Sequence, residues 1–210
     1  MTARPPRDFL QMKLMQVTII GIDRILYGCL GGGWAVSESK RNLIYDIGLH
    51  KGEDTDFYLK KGYDVIAFEA NPSLIAYCRK RFEDAVASGR LQIIEGAIAP
   101  ESAGERIPFY VNPDISGWGT IAPEWVERNA KLGHNSHKIE VPRIDLVGIC
   151  RSYGIPYYAK IDIEGADMLV LESFKQFTDR PNYVSIEVDK VQLSELNRQM
   201  TALRDLVDRI

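Results

Sequence analysis

The sequence predicts an α/β protein built on a doubly wound, mainly parallel sheet. From residue 43 to residue 188, short apolar runs alternate with segments of helical periodicity, the order typical of repeated strand–helix units. Most of the apolar runs end in an acidic residue, and in such sheets ligands bind at the carboxyl ends of the strands. With 45% hydrophobic residues among 210, the chain can form the core that this fold requires.

Five strands are expected, with helices between them. The strands are predicted at residues 43–46, 64–69, 91–94, 157–163 and 183–188. Helices are predicted at 53–61 and from Pro72 to Gly89, with Asn71 as the N-cap of the second. A last amphipathic helix is expected over 191–207, which leaves no room for a sixth strand after it.

Residues 101–140 interrupt the alternation between the third and fourth strands. A strand is expected at 106–111 and a helix at 123–131, with Trp118 and Trp125 on either side of the helix start. Aromatic side chains stack well on sugars and flat molecules, and such insertions often cover an active site. We therefore expect this insertion to form a lid that binds a substrate through its tryptophans; a plain surface excursion is the alternative.

The first 40 residues are predicted to be an extension of uncertain structure, followed by one domain over 41–210. The apolar run 14–22 is shorter than the roughly 20 residues that cross a membrane. A peripheral helix or strand is preferred to a signal peptide, because no small-residue cleavage site follows the run. Three glycines at 31–33 are expected to form a flexible joint.

Charge and cysteine content exclude several classes of protein. The 26 basic and 29 acidic residues give a net charge of −3, which disfavours nucleic-acid binding. Cys29, Cys78 and Cys150 are odd in number and far apart, so a disulfide framework and a zinc site are not expected. These features indicate a reducing compartment, and we predict a cytoplasmic protein without a membrane span.

The segment from Asp46 to Gly52 has the pattern of a cofactor loop at the end of a first strand. Gly48 allows a tight turn and Gly52 a close approach of ligand and helix. A dinucleotide site, as in an NAD-dependent oxidoreductase, would need a different glycine spacing and a helix start free of acids. Here Glu53 and Asp54 open the helix, so the loop suits a cationic nucleotide such as S-adenosylmethionine better.

Two further strand ends fit the same cofactor. Glu69 closes the second strand, where a carboxylate can accept hydrogen bonds from ribose hydroxyls. Glu95 and Ala97 follow the third strand, where the edge of an adenine ring is expected.

Four stretches of the chain together resemble the FkbM-type methyltransferases. These are residues 46–52, 68–72 (FEANP), 95–99 (EGAIA) and 160–165 (KIDIEG), of which the last is the most specific. The resemblance implies a Rossmann-like class I methyltransferase fold, S-adenosylmethionine as cofactor, and O-methylation of a sugar or natural-product-like small molecule. It also implies cofactor contacts from the following residues: Asp46, Gly48, Gly52, Glu69, Asn71, Glu95, Ala97 and Asp162.

Catalysis is expected to depend mainly on alignment, with a base for the hydroxyl proton. Asp162 is the first candidate base, Lys160 is expected to orient it or the acceptor, and His50 is the alternative base. Asp162, Glu164 and Glu187 are weak candidates for binding Mg²⁺, which is not favoured. His134 and His137, in a loop rich in turn residues, are expected to be solvated.

The chain departs from the family pattern in the final strands. The usual fold has seven strands, and the last hairpin is predicted to be missing here. Either the sequence is a fragment or a partner, such as a second copy, covers an exposed sheet edge. An alternative function follows, a non-catalytic or truncated subunit of this fold that acts through assembly.

Overall fold

The computed structural model describes residues 15–20, 42–188 and 201, with the backbone alone over 15–20 and 187–188. These ranges contain strands β1 (Met15–Ile20), β2 (Leu43–Ile47), β3 (Asp64–Glu69), β4 (Leu91–Glu95), β5 (Ala97–Ile98), β6 (Arg106–Val111), β7 (His137–Ile144), β8 (Tyr158–Ile161) and β9 (Tyr183–Val188). The helices are α1 (Glu53–Lys60), α2 (Pro72–Arg81), α3 (Glu83–Ala87), α4 (Pro123–Lys131), α5 (Leu146–Tyr153) and α6 (Asp167–Phe174). None of the helices in these ranges has the length and apolar character needed to cross a membrane.

The main sheet has the strand order β1-β9-β8-β2-β3-β4. The pairs from β9 to β4 are all parallel, which confirms the doubly wound, mainly parallel sheet. All five expected strands are present, although the fourth is shorter than predicted. The chain leaves β2 toward β3 and β4 and later returns on the opposite side as β8. The crevice between the ends of β2 and β8 is therefore the switch point at which such folds bind ligands.

Both faces of the sheet are buried, as the continuous apolar runs predict for parallel strands. In β2, Ile44 packs into one apolar cluster, whereas Tyr45 and Ile47 pack into another. In β3, Val65 and Phe68 divide in the same way. Because successive side chains point to opposite faces of a strand, the two clusters form the two halves of the core, one on each side of the sheet.

The N-terminal apolar run closes one edge of the sheet. Strand β1 pairs with β9 in antiparallel register, from Met15 opposite Val188 to Ile20 opposite Tyr183. The sheet thus has a sixth strand that the sequence analysis did not place, because we had expected β9 to be an open edge. The strand edge on this side belongs to β1, so the homo-oligomer predicted from an open edge stays a prediction. The glycine joint, Cys29 and the expected helix at 191–207 lie outside the described residues.

A second, three-stranded sheet carries the insertion. Its order is β5-β7-β6, with β5 parallel and β6 antiparallel to β7. Gly96 connects it to β4 with a φ of +129°, and a Cβ there would lie 2.3 Å from the carbonyl oxygen of Pro142. Strand β7 was not predicted, and it begins at His137, which we had placed in a loop. The expected strand at 106–111 and helix at 123–131 are confirmed.

The helix predicted from Pro72 to Gly89 is two helices. Phe82 ends α2 and begins α3 with a φ of −115° and a ψ of 31°, outside the helical region. Its ring packs under Gly52, where an added Cβ would lie 2.4 Å from the ring. The N-cap is confirmed, since the Asn71 side chain accepts the backbone N–H of Ser73 at 3.0 Å.

Candidate functional site

A cavity of about 570 Å³ opens at the carboxyl ends of β2, β3 and β8 and extends beneath the insertion. This volume is typical of small-molecule sites. The predicted site residues that line it are Gly48, His50, Glu69, Ala97, Trp118, Lys160, Asp162 and Glu164. The cavity thus joins the expected cofactor loop to the expected acceptor lid.

The ends of β2 and β8 are in direct backbone contact. The N–H of Asp162 donates to the carbonyl oxygen of Ile47 at 2.9 Å. Gly48 has a φ of +98°, and a Cβ there would lie 2.0 Å from the carbonyl oxygen of Asp162. Only glycine therefore fits between the two loops at this point, which gives the predicted role of Gly48 a physical cause.

Lys160 is a buried ammonium held among carboxylates. Its Nζ donates to the carbonyl oxygen of Gly48 at 3.0 Å. The same atom lies 3.3 Å from Asp162, 3.6 Å from Asp46 and 3.6 Å from Asp54. Burial acts to lower the pKa of Lys160, but the three carboxylates outweigh it and the pKa is raised. The ammonium stays charged near neutral pH, which suits holding and orienting groups rather than exchanging protons.

Asp46 lies beneath the cavity and does not line it. The side chain is fully buried, and its Oδ2 accepts the hydroxyl of Thr55 at 2.6 Å. Its Oδ1 has no hydrogen-bond partner and faces Lys160. Burial raises the pKa of Asp46 to about 6, and the charge of Lys160 and the Thr55 hydrogen bond oppose the rise. Its predicted contact with the cofactor stays a prediction, and the structure places its side chain against Lys160 and the start of α1.

Glu69 is held rigidly at the cavity wall. One oxygen accepts the backbone N–H groups of Ala70 at 2.9 Å and Asn71 at 2.8 Å, and the other accepts the N–H of His50 at 2.9 Å. Burial raises the pKa of Glu69, whereas these N–H groups act to lower it. A carboxylate has about four acceptor positions, so about one remains for a hydroxyl of a bound ligand.

Two predicted cofactor residues lie beside the cavity rather than on its wall. Glu95 forms an ion pair with Arg79 and is 43% exposed. Asn71 serves as the helix cap described above. The wall next to Glu95 is formed by residues 96–98, including Ala97. Those residues present backbone groups and small apolar side chains to a ligand.

The insertion is anchored to the loop that follows β8. The hydroxyl of Thr120 donates to the carbonyl oxygen of Glu164 at 2.7 Å. Trp125 packs on Gly165, where a Cβ would lie 2.6 Å from Nε1 of the indole. The guanidinium of Arg128 stacks over the Trp125 ring at 3.8 Å. The structure thus places Trp125 in the anchor, whereas Trp118 lines the cavity.

His50 connects the cofactor loop to the insertion. Its Nε2 lies 2.8 Å from the hydroxyl of Ser116, and its Nδ1 lies 3.7 Å from Glu53. Ser116, Glu53 and Asp54 also line the cavity, and the sequence analysis assigned them no contact with a ligand. Ser116 was missed because 66 residues separate it from His50, and no local pattern marks such a pair.

Within the described part of the chain, no group of three His, Cys, Asp or Glu side chains could hold a metal ion. Glu164 lies 4.0 Å from Arg128, and the side chain of Glu187 lies outside the described residues. His134 pairs with Asp114 at 3.2 Å. His137 is exposed at the start of β7.

The fold and the cavity define a Rossmann-like α/β protein with a small-molecule site at the switch point of its sheet. A family model described as the methyltransferase FkbM domain matches residues 46–209. The chain therefore belongs to the FkbM methyltransferase family. A search of curated proteins and a search of solved structures found no match.

Proposed function

We propose that this protein is an S-adenosylmethionine-dependent O-methyltransferase that acts on a hydroxyl of a sugar or natural-product-like small molecule. One observation carries the proposal: a single cavity contains both the strand ends expected to bind the cofactor and the insertion expected to bind the acceptor. Membership of the methyltransferase family supports the class of reaction.

The charge of the cavity fits this cofactor. Of the described residues that line it, only Lys160 and His50 carry basic side chains, and Lys160 is already paired with carboxylates. The acidic lining residues are Glu53, Asp54, Glu69, Asp114, Asp162 and Glu164. A sulfonium with an amino group suits this surface, whereas a pyrophosphate would be repelled at the first turn of α1.

The residues that would hold the cofactor follow from the walls of the cavity. Glu69 would accept a ribose hydroxyl with its remaining acceptor position. Phe68 and Ile98 provide apolar wall for an adenine ring, and the acids at the start of α1 would attract the amino group. S-adenosylmethionine, when bound, supplies an electrophilic methyl group on a sulfonium.

The chain's own contribution to the reaction is alignment and proton removal. The lid and the loop after β8 exclude water and hold the acceptor next to the cofactor site. Asp162 is balanced by Lys160 at 3.3 Å, so this pair is better suited to orienting a hydroxyl than to deprotonating it. His50 has no such cation within hydrogen-bond distance among its recorded contacts, and imidazole is the side chain whose ordinary titration lies nearest neutral pH.

Calorimetric titration with S-adenosylhomocysteine, with NAD⁺ as the negative control, tests the cofactor. We expect micromolar binding to the intact chain and loss of binding in Glu69→Ala. Glu101→Ala, an exposed carboxylate after β5, is the matched control and should bind normally. Protein that shows binding is then incubated with methyl-labelled S-adenosylmethionine and a panel of sugars and hydroxylated small molecules.

Failure of a folded protein to bind S-adenosylhomocysteine would contradict the proposal. The non-catalytic subunit would then be the better hypothesis. The original motive for that alternative was an open edge on β9, and β1 occupies that edge. The enzyme hypothesis is therefore the one to test first.

A further inference from the structure

The contact between His50 and Ser116 is the feature from which a further inference follows. It joins the loop after β2 to the 3₁₀ turn Ser116–Trp118 of the insertion. Both side chains line the cavity, as does Glu53 on the other side of the imidazole. One imidazole therefore has a hydroxyl at one ring nitrogen and a carboxylate beyond the other.

The backbone fixes the position of this imidazole. His50 has a φ of +51°, a left-handed conformation that is uncommon for residues other than glycine. Its N–H donates to Glu69 at 2.9 Å, and its carbonyl oxygen accepts the thiol of Cys78 at 3.2 Å. Strained conformations held in this way cluster at functional sites, so the arrangement is that of a positioned group.

We propose that Ser116, His50 and Glu53 form the proton relay of the methyl transfer, an inference that rests on the proposed function. Ser116 is the catalytic residue that meets the acceptor hydroxyl, and His50 is the base behind it. Glu53 lies 3.7 Å from Nδ1, beyond hydrogen-bond length. It is therefore a positioning residue, whose charge favours the tautomer with the proton on Nδ1.

The proton and electron balance of the step is complete. The acceptor oxygen bonds to the methyl carbon while the methyl–sulfur bond breaks and its electron pair stays on sulfur. The acceptor proton passes to Oγ of Ser116 as the proton of Ser116 passes to Nε2 of His50. The imidazolium then returns its proton to water. No oxidant, reductant or metal takes part.

The relay requires His50 to carry its proton on Nδ1, so that Nε2 accepts from Ser116. Long-range ¹H–¹⁵N correlation spectra of the intact protein distinguish the two tautomers at neutral pH. The sequence contains three histidines, and His50→Gln and the control His137→Gln assign the signals. We expect the Nδ1–H tautomer in the wild type and a mixture of tautomers in Glu53→Gln. An Nε2–H tautomer in the wild type would overturn the proposal.

A kinetic measurement separates the relay from a merely structural contact. We expect Ser116→Ala to lower kcat by about 100-fold while the Kd for S-adenosylhomocysteine changes less than threefold. Ser152→Ala, an exposed serine on α5, is the matched control. If Ser116→Ala instead speeds release of S-adenosylhomocysteine and leaves kcat unchanged, the contact only latches the lid and the relay is refuted. Because the tautomer is read in the free protein, it is tested even if the cofactor proposal fails.

Discussion

At the scale of single residues, the site depends on one buried cation. Lys160 is 6% exposed and is the centre of contacts to Asp46, Asp54, Asp162 and the carbonyl of Gly48. Removing one partner of a buried ion pair leaves the other charge without compensation, which costs more than the pair itself contributes. The lysine is therefore required for the fold of the site as well as for its charge.

Lys160→Met should lower the free energy of unfolding by about 3–5 kcal/mol, because Asp46 would remain buried without a counter-charge. Asp54 is 52% exposed, so Asp54→Asn should cost less than about 1 kcal/mol. The double variant Lys160→Met with Asp46→Asn should recover part of the loss. Urea denaturation measures all four proteins, and equal effects of the two single variants would contradict this account.

Asp167 makes stability depend on pH. It is 6% exposed at the start of α6 and accepts the N–H of Ile163, and burial raises its pKa to about 6. The folded protein then binds the proton more tightly than the unfolded chain, so this contribution to stability is complete below pH 4 and is lost as the pH rises to about 6. Relative to Asp167→Asn, the wild type should lose about 3 kcal/mol between pH 4 and pH 7. Denaturation at both pH values checks this, and a constant difference would refute it.

The sequence predicted residues of the site where chemistry and strand position coincide. Glu69, Lys160 and Asp162 stand at the ends of apolar runs, and all three line the cavity. It could not show that Asp46 points beneath the cavity or that Trp125 serves as an anchor. Both depend on which way a side chain leaves its element, and neighbours far along the chain decide that.

At the scale of elements, prediction worked for the parallel strands and failed for β1 and β7. The parallel strands are short apolar runs buried on both faces, a pattern visible in one window of sequence. Strand β7 alternates exposed polar residues with apolar ones and contains Pro142, which argues against a strand in the sequence alone. Strand β1 is stabilised by pairing with β9, more than 160 positions later.

The contact between the ends of β2 and β8 leads to a matched pair of glycine variants. Gly48→Ala should lower stability by several kcal/mol and abolish binding of S-adenosylhomocysteine, because its Cβ would lie 2.0 Å from the carbonyl oxygen of Asp162. Gly62 has a similar φ of +93° but nothing within 4 Å of a Cβ. Gly62→Ala should therefore cost only the backbone strain, about 1 kcal/mol. Thermal denaturation and calorimetry measure both, and similar losses would show that the contact is unimportant.

The insertion is expected to act as the lid over the acceptor. Trp118 lines the cavity but has no recorded hydrogen bond to the expected cofactor residues. Trp118→Ala should raise the KM for the acceptor about tenfold or more and change the Kd for S-adenosylhomocysteine less than twofold, since only stacking on the acceptor is lost. Steady-state kinetics and calorimetry check the two values. Equal losses in both would contradict the lid.

At the scale of the whole molecule, the family region and the sheet do not have the same limits. The family match begins at residue 46, whereas the sheet includes β1 at residues 15–20. An unpaired strand edge is a site for pairing with another chain. By pairing with β9, β1 removes that edge, so the N-terminal segment is predicted to contribute to both the stability and the association state of the protein.

Two neighbouring proline substitutions test the role of β1. In an antiparallel pair, alternate residues direct their N–H groups toward the partner strand, so Val17, opposite Ile186, and Thr18, opposite Ser185, differ in this respect. Proline removes the N–H and is tolerated at an edge only where that group faces solvent. One of Val17→Pro and Thr18→Pro should therefore cost about 3 kcal/mol and the other much less. The costly variant should also self-associate with rising concentration, because it opens the edge of β9. Denaturation and analytical ultracentrifugation measure the two effects, and two equally mild variants would mean that β1 does not hold this edge.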